Sequence, residues 1–158
     1  MVSVIEEAKQ VLGEQLGTFV NNEYQLGMVG TPRFVIQQAE AHLGLVLPED
    51  YKNFVEEYGG FCSSGVFIHG ICNADFENPM VCDGVRATLS SRKLSNLPHH
   101  LYLLVNEEGD EIHCIDCENG QVINWSPYHR AATEVLSANF TDYLESRVRR
   151  EIARKSRR

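Results

Sequence analysis

From Ile36 to Gly60, in the stretch IQQAEAHLGLVLPEDYKNFVEEYGG, apolar residues recur three and four positions apart in two successive sets. The first set, Ile36, Ala39 and Leu43 with Leu45 beyond it, opposes Gln37, Gln38, Glu40 and His42, and predicts an amphipathic helix closed by Gly44 in a left-handed cap. Pro48 then brings the fixed φ and missing N–H that suit a first helical position, and Glu49 and Asp50 complement the positive end of a second helix. That helix carries Tyr51, Phe54, Val55 and Tyr58 on its apolar face and stops at Gly59-Gly60. Upstream, Val4, Ile5, Ala8, Val11 and Leu12, set against Glu6, Glu7, Lys9 and Gln10, mark another amphipathic helix within residues 1–16. Residues 18–31 are polar and glycine-rich and read as a connector, with Thr31-Pro32 as the cap and first position of the helix bearing Ile36.

Past Gly60 the period changes. Val66, Phe67, Ile68 and Ile71, interrupted by Gly65 and Gly70, read as one or two short strands, and residues 73–78 as a loop. Pro79, capped by Asn78, would open a helix with Val81, Val85 and Leu89 on one face and Gly84 inside it; Arg86, Arg92 and Lys93 then cluster near its end, where cations suit the dipole. The strongest strand signals lie between Leu101 and Trp125: LYLLVN is a continuous apolar run, EEGD a turn, EIHCIDC an alternating run, ENG a second turn and QVINW a third strand. Tight turns between the three make an antiparallel meander. A last helix starts near Ser137, with Phe140, Tyr143, Leu144 and Val148 at helical spacing after the polar Asn139, Thr141 and Asp142. Its basic continuation, RREIARKSRR, reads as a solvated, fraying end.

The run through Leu43, Gly44, Leu47, Pro48, Asp50, Tyr51, Phe54, Tyr58, Gly59 and Gly60 resembles, position by position, the opening signature of the SUKH superfamily, the fungal Smi and Knr cell-wall regulators and their bacterial relatives. Gly109, Asp116, Gly120 and Trp125 are similar to the family's later strand ends and turns, and Phe140, Tyr143 and Leu144 to its last helix. The resemblance covers residues 33–145 and implies an α+β fold: N-terminal helices, a central, mostly antiparallel sheet with a three-strand meander, and a C-terminal helix packed on the sheet. Residues 1–32 would then be an N-terminal helix and connector of the same domain, and residues 146–158 a basic helix end. Leu47, Pro48, Tyr51, Phe54, Tyr58, Gly60 and Trp125 are expected to be structural, because a matched fold carries no chemistry by itself.

Composition narrows the setting. The 158 residues fit one domain, 43% apolar and 23% charged, as in ordinary globular chains. Five irregularly spaced cysteines point to reduced thiols in a cytoplasm rather than to a secreted disulfide framework. The first residues carry acids where a signal peptide carries bases, and no apolar run approaches the roughly 18 residues of a membrane helix, so a cytoplasmic protein with no membrane partner is expected.

Charge adds more. The net is −8, with nine acids against three bases in residues 1–60, twelve against four in 61–145, and one against seven in 146–158. An acidic body repels nucleic-acid backbones and attracts basic partners, chiefly gaining association rate and specificity, although the same acidity also keeps a chain soluble. Aromatic residues do not interleave with the terminal bases, so no nucleic-acid partner is expected.

His113, Cys114 and Cys117 form a CxxC with a neighbouring histidine, and His99-His100 stands one strand earlier, a set that would suit zinc if the side chains converged within about 2.0–2.3 Å of one ion. Residues 114 and 117 have opposite parity on a strand, and a second CxxC is absent, so a buried Cys114 is the simpler reading. A redox CxxC opens a helix, whereas this one runs along a strand. Cys62, Cys72 and Cys82 lie in no nucleophile-elbow or papain-like signature, and Gly59-Gly60 lacks the lysine of a phosphate loop. No catalytic residue, metal ligand or cofactor is therefore expected.

Bacterial SUKH proteins are regarded as immunity proteins that neutralise polymorphic toxins, many of them nucleases, in the producing cell. The resemblance therefore implies a non-catalytic antitoxin whose partner is a cognate toxin with a basic surface. Exposed carboxylates on loops, Asp75, Glu77, Glu107, Glu108, Asp110 and Glu111, are the expected contacts. The alternative, from the fungal members, is a regulatory or scaffolding interaction module.

Overall fold

The computed structural model describes residues 2–12, 17–20, 23–26, 29–63, 66–78, 83–106 and 111–157, with the backbone alone at 2–3, 17–20 and 23–26. Among them are five helices, α1 (Val2–Leu12), α2 (Arg33–Leu43), α3 (Glu49–Tyr58), α4 (Gly84–Ser95) and α5 (Phe140–Ser156). Eight strands make two antiparallel sheets: β1 (Gly17–Val20), β2 (Glu23–Leu26), β3 (Phe61–Ser63) and β4 (Val66–Ile68) in the order β2-β1-β3-β4, and β5 (Leu101–Asn106), β6 (Ile112–Asp116), β7 (Val122–Ser126) and β8 (Ala131–Ser137) in the order β5-β6-β7-β8. The fold is α+β, with helices at the N-terminal side and α5 packed on the sheet.

The helical punctuation follows the residues that set it. Gly44 adopts φ 70° and ψ 32° after α2, and its N–H donates to the Glu40 carbonyl, which is the left-handed cap glycine accommodates without strain. Pro48 caps α3, whose first turn holds Glu49 and Asp50. Asp50 reaches further: its Oδ2 accepts from the Thr141 N–H at 3.1 Å and the Thr141 hydroxyl at 3.2 Å, fastening the start of α3 to the start of α5. Asn139 caps α5 through its side chain, which accepts from the Asp142 N–H.

Three expectations are corrected. The connector assigned to residues 18–31 contains the β1–β2 hairpin. Thr31 does not cap α2, because its hydroxyl donates to the Ile71 carbonyl at 2.6 Å and its N–H to the Val55 carbonyl at 3.0 Å, so Pro32 stands at the cap without a side-chain bond. Helix α4 starts at Gly84 with Asp83 as its cap, which places Arg86 in the first turn instead of near the end. Beyond those three, the meander is extended by a fourth strand, β8, and α5 carries the basic run to Ser156.

The core has two parts. The larger gathers Val4, Ile5, Ala8 and Leu12 of α1, the buried faces of α2, α3 and α5, and Tyr102, Leu104, Ile115 and Val122 from one face of the second sheet. Tyr51 and Phe54 meet Phe140 with ring centroids 5.1 and 5.2 Å apart, so the motif helix α3 is held to α5 through aromatic contacts as well as burial. The Tyr51 hydroxyl donates to the His69 carbonyl at 2.7 Å; its one proton is thereby used, and the Tyr102 hydroxyl, also at 2.7 Å, donates to Tyr51. The smaller part lies on the other face of the second sheet, where Leu101, Leu103, Ile112, Cys114, Ile123 and Trp125 pack with Leu97. His69 N–H donates to the Leu104 carbonyl at 2.9 Å, joining the chain after β4 to the second sheet. At the far edge β8 is different: Ala131 to Val135 are all exposed, and its register with β7 is irregular in two places.

Candidate functional site

Among the described residues, a network of polar contacts holds the loop of residues 73–78, which carries Asp75 and Glu77. It is built on a buried ion pair. Arg86 and Asp83 are contacting partners whose side chains are 6% and 1% exposed. The Asp83 carboxylate also accepts from the Cys72 N–H at 2.9 Å and the Arg86 N–H at 3.0 Å. Burial pushes the Asp83 carboxyl above the usual range, while those two N–H groups and the guanidinium oppose the rise. One terminal nitrogen of the guanidinium then reaches the loop: it donates to the Asn73 Oδ1 at 2.6 Å and to the Asp75 carbonyl. Phe76 lies inward between that guanidinium, 5.2 Å from its ring centroid, and the His42 ring at 5.2 Å. Its neighbours Asp75 and Glu77 are left on the surface, with Glu77 Oε1 2.7 Å from His42 Nε2.

Glu111, at the start of β6, is exposed as well, and no hydrogen bond or ion pair links it to the 73–78 loop among the described residues. Glu107, Glu108 and Asp110 lie outside the described residues. Of the motif residues, Leu47, Tyr51, Phe54, Tyr58, Gly60 and Trp125 are buried and Pro48 is half-buried.

The CxxC does not assemble a site. Cys114 belongs to the smaller core cluster and Cys117 packs against the larger one, on the other side of the sheet. Burial pushes the Cys114 thiol far up and the Cys117 thiol up to about 12, the latter aided by Asp116 and opposed by Arg92, so neither supplies thiolate near neutrality. His113 Nδ1 sits 2.7 Å from the Tyr143 hydroxyl on α5. His69 is 6% exposed, and burial lowers its pKa to about 4, so this imidazole is neutral at physiological pH.

Sequence reading missed the Asp83–Arg86–Asn73 network. The signal was present as an aspartate one residue before Gly84 and three before an arginine, the spacing of a cap and a first-turn partner. Arg92, whose sequence position suggests only a dipole cation, donates to the Leu43 carbonyl at the end of α2 and to the His99 carbonyl, both at 2.9 Å.

Among the described residues no helix is long and apolar enough to cross a membrane. These features define a class, an α+β domain whose buried aromatic motif supports charged loops at the surface. A family model described as SMI1-KNR4 cell-wall matches residues 1–149, and the chain belongs to that family, the SUKH superfamily to which its motifs pointed. No curated protein matches the chain.

Proposed function

We propose that the protein is a non-catalytic immunity protein that binds a cognate toxin and neutralises it in the cytoplasm of the producing bacterial cell. The observation that carries this reading is where negative charge is left uncompensated. Glu6, Glu7, Glu40, Glu49 and Glu56 in the first 60 residues are all paired with lysine or arginine. Glu57, Asp75, Glu111, Glu118, Glu134 and Asp142 are exposed and have no lysine or arginine partner among the described residues, so five of these six lie beyond residue 60. Carboxylates without internal counter-charges have no ion pair to break before they meet the cations of a partner, and they steer its approach, which is what blocking a basic catalytic cleft requires. Asp75 and Glu77 have the firmest mounting, and Glu107, Glu108, Asp110 and Glu111 would extend the surface.

Co-expression with an adjacent toxin-like gene, coupled to a pull-down, tests the reading. Restored growth and a stable complex that weakens with salt are expected, and Asp75→Lys with Glu77→Lys should weaken it by at least tenfold. Failure of rescue with both proteins folded would sink the proposal. A second reading, an interaction module in regulation, is favoured by the words SMI1-KNR4 cell-wall in the family description; it predicts a stable partner that is not toxic when expressed alone.

A further inference from the structure

We propose that His100, Asp116 and Glu118 form a binding site for a divalent metal ion of the zinc type. One imidazole nitrogen and two carboxylate oxygens lie within 4.8 Å of one another, with His100 and Asp116 half-buried and Glu118 exposed. Around a tetrahedral zinc ion with bonds of roughly 2.0–2.2 Å, ligand atoms sit about 3.3 Å apart, so closure needs only a modest swing of the side chains. Glu118, being exposed, has room for it.

The backbone positions are already fixed. Leu101 and Asp116 are register partners of β5 and β6, and the Cys117 N–H donates to the His100 carbonyl at 2.9 Å, which clips the histidine to the β6–β7 turn. Within the turn the Asp116 N–H donates to the Gln121 carbonyl at 2.8 Å and the Gly120 N–H to the Asp116 carbonyl at 2.7 Å. Gly120 holds φ 81°, the left-handed conformation that lets the turn close so tightly. The Glu118 N–H donates to Asp116 Oδ1 at 3.0 Å, which orients that carboxylate and leaves its second oxygen for a cation. Metal binding would therefore order a few side-chain torsions and no loop.

Two further observations separate this set from an ordinary acidic patch. Neither carboxylate is paired with a lysine or arginine among the described residues. The third member is an imidazole, which selects zinc-like ions over magnesium and calcium. Cys117 is not a ligand, since its Sγ is directed to the Ile115 carbonyl at 3.9 Å. Three protein ligands leave a fourth position to water, and the bound ion would staple the segment before β5 to the β6–β7 turn.

Isothermal titration of chelator-stripped full-length chain with zinc chloride tests the site, with circular dichroism confirming the fold of each variant. One saturable ion per chain is expected, unaffected by millimolar magnesium. His100→Ala and Asp116→Asn should each weaken binding at least tenfold, as loss of one of three ligands must, whereas Cys117→Ser should leave it unchanged. Glu118→Gln, at an exposed position where folding is not at stake, should weaken it at least threefold. The proposal is overturned by the absence of a saturable site, by binding that survives His100→Ala and Glu118→Gln, or by binding lost on Cys117→Ser.

Discussion

Arg86→Met isolates the buried pair on which the 73–78 loop is mounted. The substitution keeps an unbranched stem in contact with Phe76 but removes every charged donor, so Asp83, 1% exposed at its side chain, keeps two N–H partners and loses its counter-charge. Breaking a buried ion pair from one side costs about 3–5 kcal/mol, and the lost cation–π contact with Phe76 adds about 1 kcal/mol. Against a domain stability of about 5–15 kcal/mol, that is a large fraction. Urea denaturation followed by fluorescence of Trp125, the single tryptophan and 1% exposed, reads the loss as a lower midpoint at unchanged slope. Asp83→Asn keeps the capping acceptor and removes the charge, so the double variant should be more stable than Arg86→Met alone by about 1–2 kcal/mol. A loss below about 1 kcal/mol for Arg86→Met, or a double variant as unstable as the two singles added, would refute the view that the pair is coupled and buried.

Other outcomes follow from the same structure. Because burial lowers the His69 pKa from 6.5 to about 4, the unfolded chain takes up a proton near pH 6.5 that the folded chain refuses until about pH 4. This contribution to stability is whole above pH 6.5 and should fall by about 3 kcal/mol as pH drops to 4; His69→Gln should flatten that part of the urea-midpoint profile, and parallel profiles would refute it. Tyr51→Phe strips the hydroxyl bonded to the His69 carbonyl and to Tyr102, both at 2.7 Å, and should cost about 1–3 kcal/mol in chemical denaturation without changing the circular dichroism spectrum. Gly70→Ala would put a methyl group onto the Gly59 carbonyl oxygen, and a loss of about 3 kcal/mol, seen as a lower thermal midpoint, is expected where backbone meets backbone.

The helices from Ile36 to Gly60 were legible because local signals agreed: apolar spacing, Gly44, Pro48 and the double glycine all marked the same boundaries. Strands β5, β6 and β7 were legible because both their faces are largely buried and glycines punctuate the sequence between them. Strand β8 was not, since its exposed residues leave no pattern of burial to print on the sequence. The β1–β2 hairpin consists of two four-residue strands, too short for alternation to stand out, although the Asn21-Asn22 pair between them is a turn signal. In the candidate site, the exposed carboxylates Asp75, Glu77 and Glu111 could be read directly as loop residues. The role of Arg86 could not, because a Pro79 start makes it a late-helix cation, and only an Asp83 start turns it toward the loop it holds.

Strand β8 has a consequence for crowding. At the outer edge of its sheet it offers a ladder of main-chain donors and acceptors to any chain that drifts alongside, and of its seven residues, AATEVLS, only Glu134 is charged. Glu134 is also the middle residue. Two molecules aligning these edges head to tail in the centred register would set one glutamate against the other, a juxtaposition that destabilises strand pairing. A single carboxylate thus acts as a gatekeeper against edge-to-edge dimerisation of the sheet, while a foreign strand with a lysine at that position would meet no such barrier.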